Sequence, residues 1–117
     1  DKAEIETLGG LAQSLGMEVL LEVHDEKELD NSITDKVNLI GVNNRDLKSF
    51  NTDVQRSYEL ADKIPNDFVK ISESGISDPS TIKTLKTHGY EGFLIGETFM
   101  QTGRPEKAAK EFIKQLT

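Results

Sequence analysis

Four short runs rich in apolar and β-branched residues recur along this chain: MEVLLEV (17–23), VNLIGV (37–42), FVKIS (68–72) and GFLIG (92–96). Each is followed by a polar loop and then by a stretch with helical spacing, and successive runs begin 20 to 31 residues apart. Separations of that size are too long for hairpins. They suit helical crossovers, which return the chain to the same end of a sheet and make neighbouring strands parallel. The fold class is therefore α/β, built from βα units. No linker or low-complexity segment interrupts residues 1–117, which are expected to form a single unit.

The helical stretches carry their own punctuation. Ile5, Leu8, Leu11, Ala12 and Leu15 share one face of a first helix that Gly16 would end. Gly9 and Gly10 each cost it up to about 1 kcal/mol relative to Ala, so without tertiary support a weak or broken middle is expected. Asp25 with Glu28 three residues later is a capping-box-like start for a helix through about Ser32. A third helix is expected over 53–62, packing Val54, Tyr58 and Ala61 and ending before Pro65. Asp78 followed by Pro79 starts a fourth over 79–87, stopped by Gly89. The last, 105–116, is expected to bury Ala108, Ala109, Phe112, Ile113 and Leu116.

Composition narrows the partners. With 14 Lys+Arg against 21 Asp+Glu, the formal charge is −7. That balance argues against a general nucleic-acid binder, whose affinity comes from clustered basic residues. Zero cysteine removes disulfides, thiolate nucleophiles and Cys-based zinc sites, and leaves the cytoplasm as the expected compartment. No apolar run approaches the ~20 residues of a membrane span, and the opening DKAEIETLGG lacks the basic and apolar regions of a secretion signal. Any anion held by this acidic chain must be met by local groups.

Those groups collect after the strands. In a parallel sheet the loops at the strands' C-terminal ends share one face, where ligands bind. Glu22 and His24 follow the first strand, Asn43, Asn44, Arg45 and Asp46 the second, Glu73, Ser74 and Gly75 the third, and Gly96 and Glu97 the fourth. Strand alternation sets Glu22 on the face of Leu20, opposite Val19, Leu21 and Val23. If that face lines a barrel, the carboxylate stands in its mouth with a pKa suited to proton transfer; otherwise it is an exposed ion-pair partner. Asn43 to Asp46 read equally as a turn with a local ion pair or as a carboxamide and guanidinium offered to an anion. His24 reads as a polar loop residue. Small residues at Ser74, Gly75 and Gly96 suit phosphate contact through backbone N–H groups, or simple steric relief.

With these loops assembled, the chain resembles the C-terminal half of the indole-3-glycerol phosphate synthase family. The resemblance rests on LGMEVLLEVHDEKEL (15–29), LIGVNNRDLKSFNTD (39–53), ISESGI (71–76) and GFLIGETFM (92–100), in order and at matching separations. It implies strands five to eight of a (β/α)8 barrel. It also implies Glu22, Asn43 and Glu73 as catalytic residues, Arg45 and Ser74 as substrate contacts, and Gly75, Gly96 and Glu97 as phosphate contacts. Many members carry Ser at the last position, so Glu97 would act through its backbone N–H. The implied substrate is a sugar-phosphate derivative of anthranilate, closed and decarboxylated to an indole in tryptophan biosynthesis without metal or cofactor.

The same resemblance marks what these residues lack. The family's two catalytic lysines and a further glutamate belong to strands preceding this region, and Lys48 and Lys70 match neither lysine. The chain alone is therefore expected to be inactive, or to act only as a phosphate-binding half-barrel or folding unit. A half-barrel also leaves two strand edges and an interior layer of Leu20, Leu39, Ile71 and Leu94 uncovered. Pairing with an N-terminal half, self-association to a dimer, or rearrangement to a flavodoxin-like sheet would each relieve that.

Overall fold

The computed structural model describes residues 2–46, 48–49, 51–95 and 103–116. Their elements alternate as α1 (Lys2–Ser14), β1 (Leu20–Val23), α2 (Glu26–Ser32), β2 (Leu39–Asn43), α3 (Gln55–Ala61), β3 (Val69–Glu73), α4 (Pro79–Thr87), β4 (Tyr90–Leu94) and α5 (Pro105–Leu116). The strands form one parallel sheet in the order β1-β2-β3-β4. Each crossover moves the chain one strand along, as in consecutive units of a (β/α)8 barrel. A flavodoxin-like sheet would carry a later strand across to the far side of the first, and the chain does not adopt that order.

Local caps set the starts of α2 and α4. Asp25 Oδ1 accepts from the Glu28 N–H at 2.8 Å, and Glu28 Oε2 accepts from the His24 N–H at 3.0 Å. Asp78 Oδ1 accepts from the Ser80 N–H at 2.9 Å, with Pro79 in the first turn. Strand boundaries depend on distant partners and move further. β4 begins at Tyr90, two residues before the expected start, because Tyr90 pairs with Lys70 across an irregularity in the ladder. The Tyr90 ring is buried, and its hydroxyl donates to the Ser57 carbonyl.

Tertiary contact supports the middle of α1. The helix runs unbroken through Gly9 and Gly10. Gly9 lies against the loop before β2, where a Cβ would stand 2.6 Å from the Lys36 carbonyl oxygen. The glycine permits close approach. Leu8, Leu11 and Leu15, on the apolar face of the helix, are nonetheless 66%, 59% and 69% exposed. Leu8 lines a hollow with Leu20 and Leu21 of β1, and no strand among the described residues lies beyond β1. On α5, Phe112 is buried whereas Ile113 is exposed, also against expectation. In α3, Ser57, Leu60 and Ala61 are buried, and Val54 and Tyr58 only partly so.

Alternation divides the sheet cleanly. Val23, Ile40, Val42 and Tyr90 join Leu29, Leu60 and Leu85 in the core. Lys70 is also on this side: its ammonium, in a residue 7% exposed, donates to the Ala61 carbonyl at the end of α3 at 2.8 Å. The terminal carbonyls of a helix lack partners within it and carry negative charge, so they suit a buried cation. The opposite face carries Leu20, Val69 and Leu94, all exposed, and half-buried Leu39 and Ile71. Among the described residues, no helix is long and apolar enough to cross a membrane.

Candidate active site

The parallel register brings three of the expected residues to one place. Glu22 pairs with Gly41, and Asn43 with Glu73, so Asn43 and Glu73, the last residues of their strands, and Glu22, the last but one of β1, share the open face. Asn43 Nδ2 donates to Glu22 Oε1 at 2.6 Å. Glu73 lies beside Glu22. Burial above all, then the hydrogen bond and charge of Glu22, push its pKa up from 4.5 to about 7. Its buried Oε2 has no hydrogen-bond donor among the described residues. A neighbouring carboxylate makes ionisation of a buried carboxyl costlier still, so Glu73 keeps its proton to near neutral pH.

Asn44, one residue on, turns to the helix side and is 1% exposed. Its Nδ2 donates to Ser72 Oγ (3.1 Å), Ser72 and Ser57 hydroxyls meet at 2.7 Å, and Ser57 Oγ donates back to Asn44 Oδ1 at 2.8 Å. With Ser57 donating to Asn44, Ser72 must donate to Ser57, and the three bonds close a ring in one sense. The second Asn44 amide hydrogen goes to the Ser74 carbonyl at 3.0 Å. This buried ring ties the ends of β2 and β3 to α3. A satisfied network in a low-dielectric interior fixes geometry strongly.

Around it the β2 loop folds back on itself. Asn43 Oδ1 accepts from the Arg45 N–H at 3.0 Å, and Arg45 bridges to Thr52 in antiparallel fashion. Arg56 of α3 donates to the carbonyls of Asn43 and Arg45, both at 3.3 Å, and pairs with Asp46 at 3.6 Å. The N–H groups of Ser49 and Lys48, aided by Arg56, hold the Asp46 carboxyl below its usual range. Arg56, Ser57 and Ser72 were not among the expected site residues, and Asn44, expected with Asn43, Arg45 and Asp46 in a turn or an anion site, is committed to the buried ring instead. Continued strand alternation past Asn43 marks Asn44 as inward-facing, but nothing local marks Arg56.

After β3, Ser74 (φ 70°) and Gly75 (φ 72°) adopt successive left-handed conformations. A Cβ on Gly75 would lie 2.9 Å from Thr52 Cβ, so this turn packs on the β2 loop. A non-glycine residue in that region is held there by its surroundings, here by the Asn44 bond to its carbonyl. His24 serves the α2 cap, its Nδ1 lying 3.2 Å from Glu28 Oε2. Gly96 and Glu97, expected to complete a phosphate site, lie outside the described residues.

A profile of the indole-3-glycerol phosphate synthase family matches residues 1–112. The chain belongs to the indole-3-glycerol phosphate synthase family. Similar proteins, each named indole-3-glycerol phosphate synthase, include one from Bacteroides thetaiotaomicron, 51% identical over 105 residues. That match covers 90% of this chain and 40% of the relative. One from Acetivibrio thermocellus is 45% identical, covering 87% and 39%. One from Variovorax paradoxus is 39% identical, covering 97% and 43%. The chain thus spans about two fifths of the length of these indole-3-glycerol phosphate synthases, and its four βα units make half of a (β/α)8 barrel.

Proposed function

We propose that the protein to which this chain belongs is a carbon–carbon lyase. It converts 1-(2-carboxyphenylamino)-1-deoxyribulose 5-phosphate into indole-3-glycerol phosphate, carbon dioxide and water, in the cytoplasm. The observation that carries this reading is the Glu22–Asn43–Glu73 constellation, held at the C-terminal ends of three parallel strands in a chain of this family. That end of a barrel is where catalytic groups reside.

The chemistry asks for what these groups offer. The aromatic carbon attacks the carbonyl carbon, whose oxygen takes up a proton. The carboxylate then leaves as carbon dioxide. Finally the new hydroxyl departs as water while the ring loses a proton. Glu22, with its Oε1 fixed by Asn43, is placed to move a proton. Glu73 holds one near neutral pH, where an acid or base is most effective. Arg45 supplies a guanidinium for the substrate carboxylate. Ser74 and Gly75 lie at the phosphate end.

The two lysines that the family's chemistry also needs are not matched here, so the isolated chain is inactive. In the full-length protein, Glu22→Gln lowers kcat by about 10²- to 10⁴-fold with little change in KM. The product is read by indole fluorescence. A variant within a few-fold of wild type would remove Glu22 from the reaction.

A further inference from the structure

We propose that Gly41 is a positioning residue of this site: by lacking a side chain it leaves on β2 the berth in which the Glu73 carboxyl lies, and so sets that carboxyl beside Glu22. This deepens the functional reading above and rests on it only for the meaning of the pair, not for its existence.

Gly41 occupies the middle of β2, on the open face, in register with Glu22 on one side and Ile71 on the other. Every other residue of β2 carries a side chain. A Cβ built on Gly41 runs into Glu73 Oε2, and stands 3.0 Å from Glu73 Cδ and 3.4 Å from Leu20 Cδ1. The Glu73 side chain therefore does not follow its strand outward from the C-terminal end. It leans back across the neighbouring strand, over the one position where nothing stands up from the sheet. There it is buried, its Oε2 without a donor among the described residues. The group next to it is Glu22, whose other commitment is to Asn43 Nδ2.

A glycine in a strand interior weakens it and packs nothing, so it marks a site of close approach. Here the approaching group is a carboxyl. Burying an ionised carboxylate without a donor is costly, and a second carboxyl beside it can meet that need only by sharing a proton. The berth thus sets a carboxyl that keeps its proton, Glu73, beside Glu22. Alanine at position 41 would push the Glu73 carboxyl out toward water and uncouple the two.

The test reads side-chain titration in the full chain labelled with ¹³C at glutamate Cδ, and needs no substrate. In the wild type, Glu73 should titrate near 7. Removing its neighbour in Glu22→Gln should move that midpoint down by about one unit or more. In Gly41→Ala the Glu73 midpoint should return toward the ordinary carboxylate range. An unchanged midpoint in a folded Gly41→Ala chain, or a wild-type Glu73 that titrates near 4.5, overturns the proposal.

If Gly41→Ala does not fold, the double variant Gly41→Ala/Glu73→Ala decides. Recovery of folding shows that the collision is with Glu73. Failure of both variants assigns Gly41 another purpose and overturns the proposal. Loss of activity in Glu22→Gln with an ordinary Glu73 titration would spare the proposed reaction and reject the berth. The converse result would do the reverse.

Discussion

Glu73 makes folding itself sensitive to pH. Its pKa is raised from 4.5 to about 7 by burial and by Glu22, so between these values the folded chain keeps a proton that the unfolded chain has released. Stability from this group is therefore fully present below about pH 4.5 and is lost as pH rises through 7. The slope is at most about 1.4 kcal/mol per pH unit. Urea unfolding of Glu73→Gln, whose amide cannot ionise, should show a flatter dependence between pH 5 and 8. An identical slope in both proteins would mean that the carboxyl is not held as described. The neighbouring Asn43 and Asn44 show how much of such a site can be read in advance. The period-2 alternation puts Glu22, Asn43 and Glu73 on one face, and the resemblance assigns them roles. The same alternation puts Asn44 on the other face, where its partners Ser57 and Ser72 are 13 and 28 residues away. Hydrogen bonds of that span have no local pattern, and Arg56, which clasps the β2 loop from α3, has none either.

Helix ends were legible to the residue where a cap made them local. α4 spans Pro79–Thr87 and α5 spans Pro105–Leu116, as the Asp78-Pro79 step and the apolar spacing predict. Strands were legible only as to existence, because ladder partners decide where pairing begins and ends. The two glycines of α1 separate propensity from packing. Each was expected to weaken the helix equally, yet a Cβ on Gly10 meets nothing within 4 Å, while one on Gly9 meets the Lys36 carbonyl oxygen at 2.6 Å. Gly10→Ala should therefore stabilise the chain by up to about 1 kcal/mol, the difference in helix propensity. Gly9→Ala should destabilise it, since overpacking against backbone costs about 1–3 kcal/mol. Thermal unfolding of the two variants, compared with wild type, checks both signs. Stabilisation by Gly9→Ala would show that α1 does not lie on the loop before β2.

The sheet as a whole is an unfinished object. β1 and β4 each pair on one side only, leaving two rows of backbone donors and acceptors open among the described residues. Exposed apolar side chains accompany both edges: Leu8 and Leu20 at β1, and Leu94 on β4. Unpaired strand edges with apolar flanks seek partners. All four strands run in one direction, so β4 of one copy can lie beside β1 of a second, with its β4 beside the first β1. A two-fold axis along the barrel then closes eight parallel strands with no edge remaining. We predict that the isolated chain self-associates in this way, and that a matching N-terminal half-barrel competes with the second copy for the same edges. Sedimentation should give twice the chain mass of 13.0 kDa. Leu20→Lys should shift the equilibrium toward the single chain. The interior of such a dimer holds two Glu22–Glu73 pairs at one mouth, so association should weaken from pH 6 to pH 8 as each Glu73 loses its proton. A mass of one chain with sharp, dispersed spectra would show that the half-barrel stands alone.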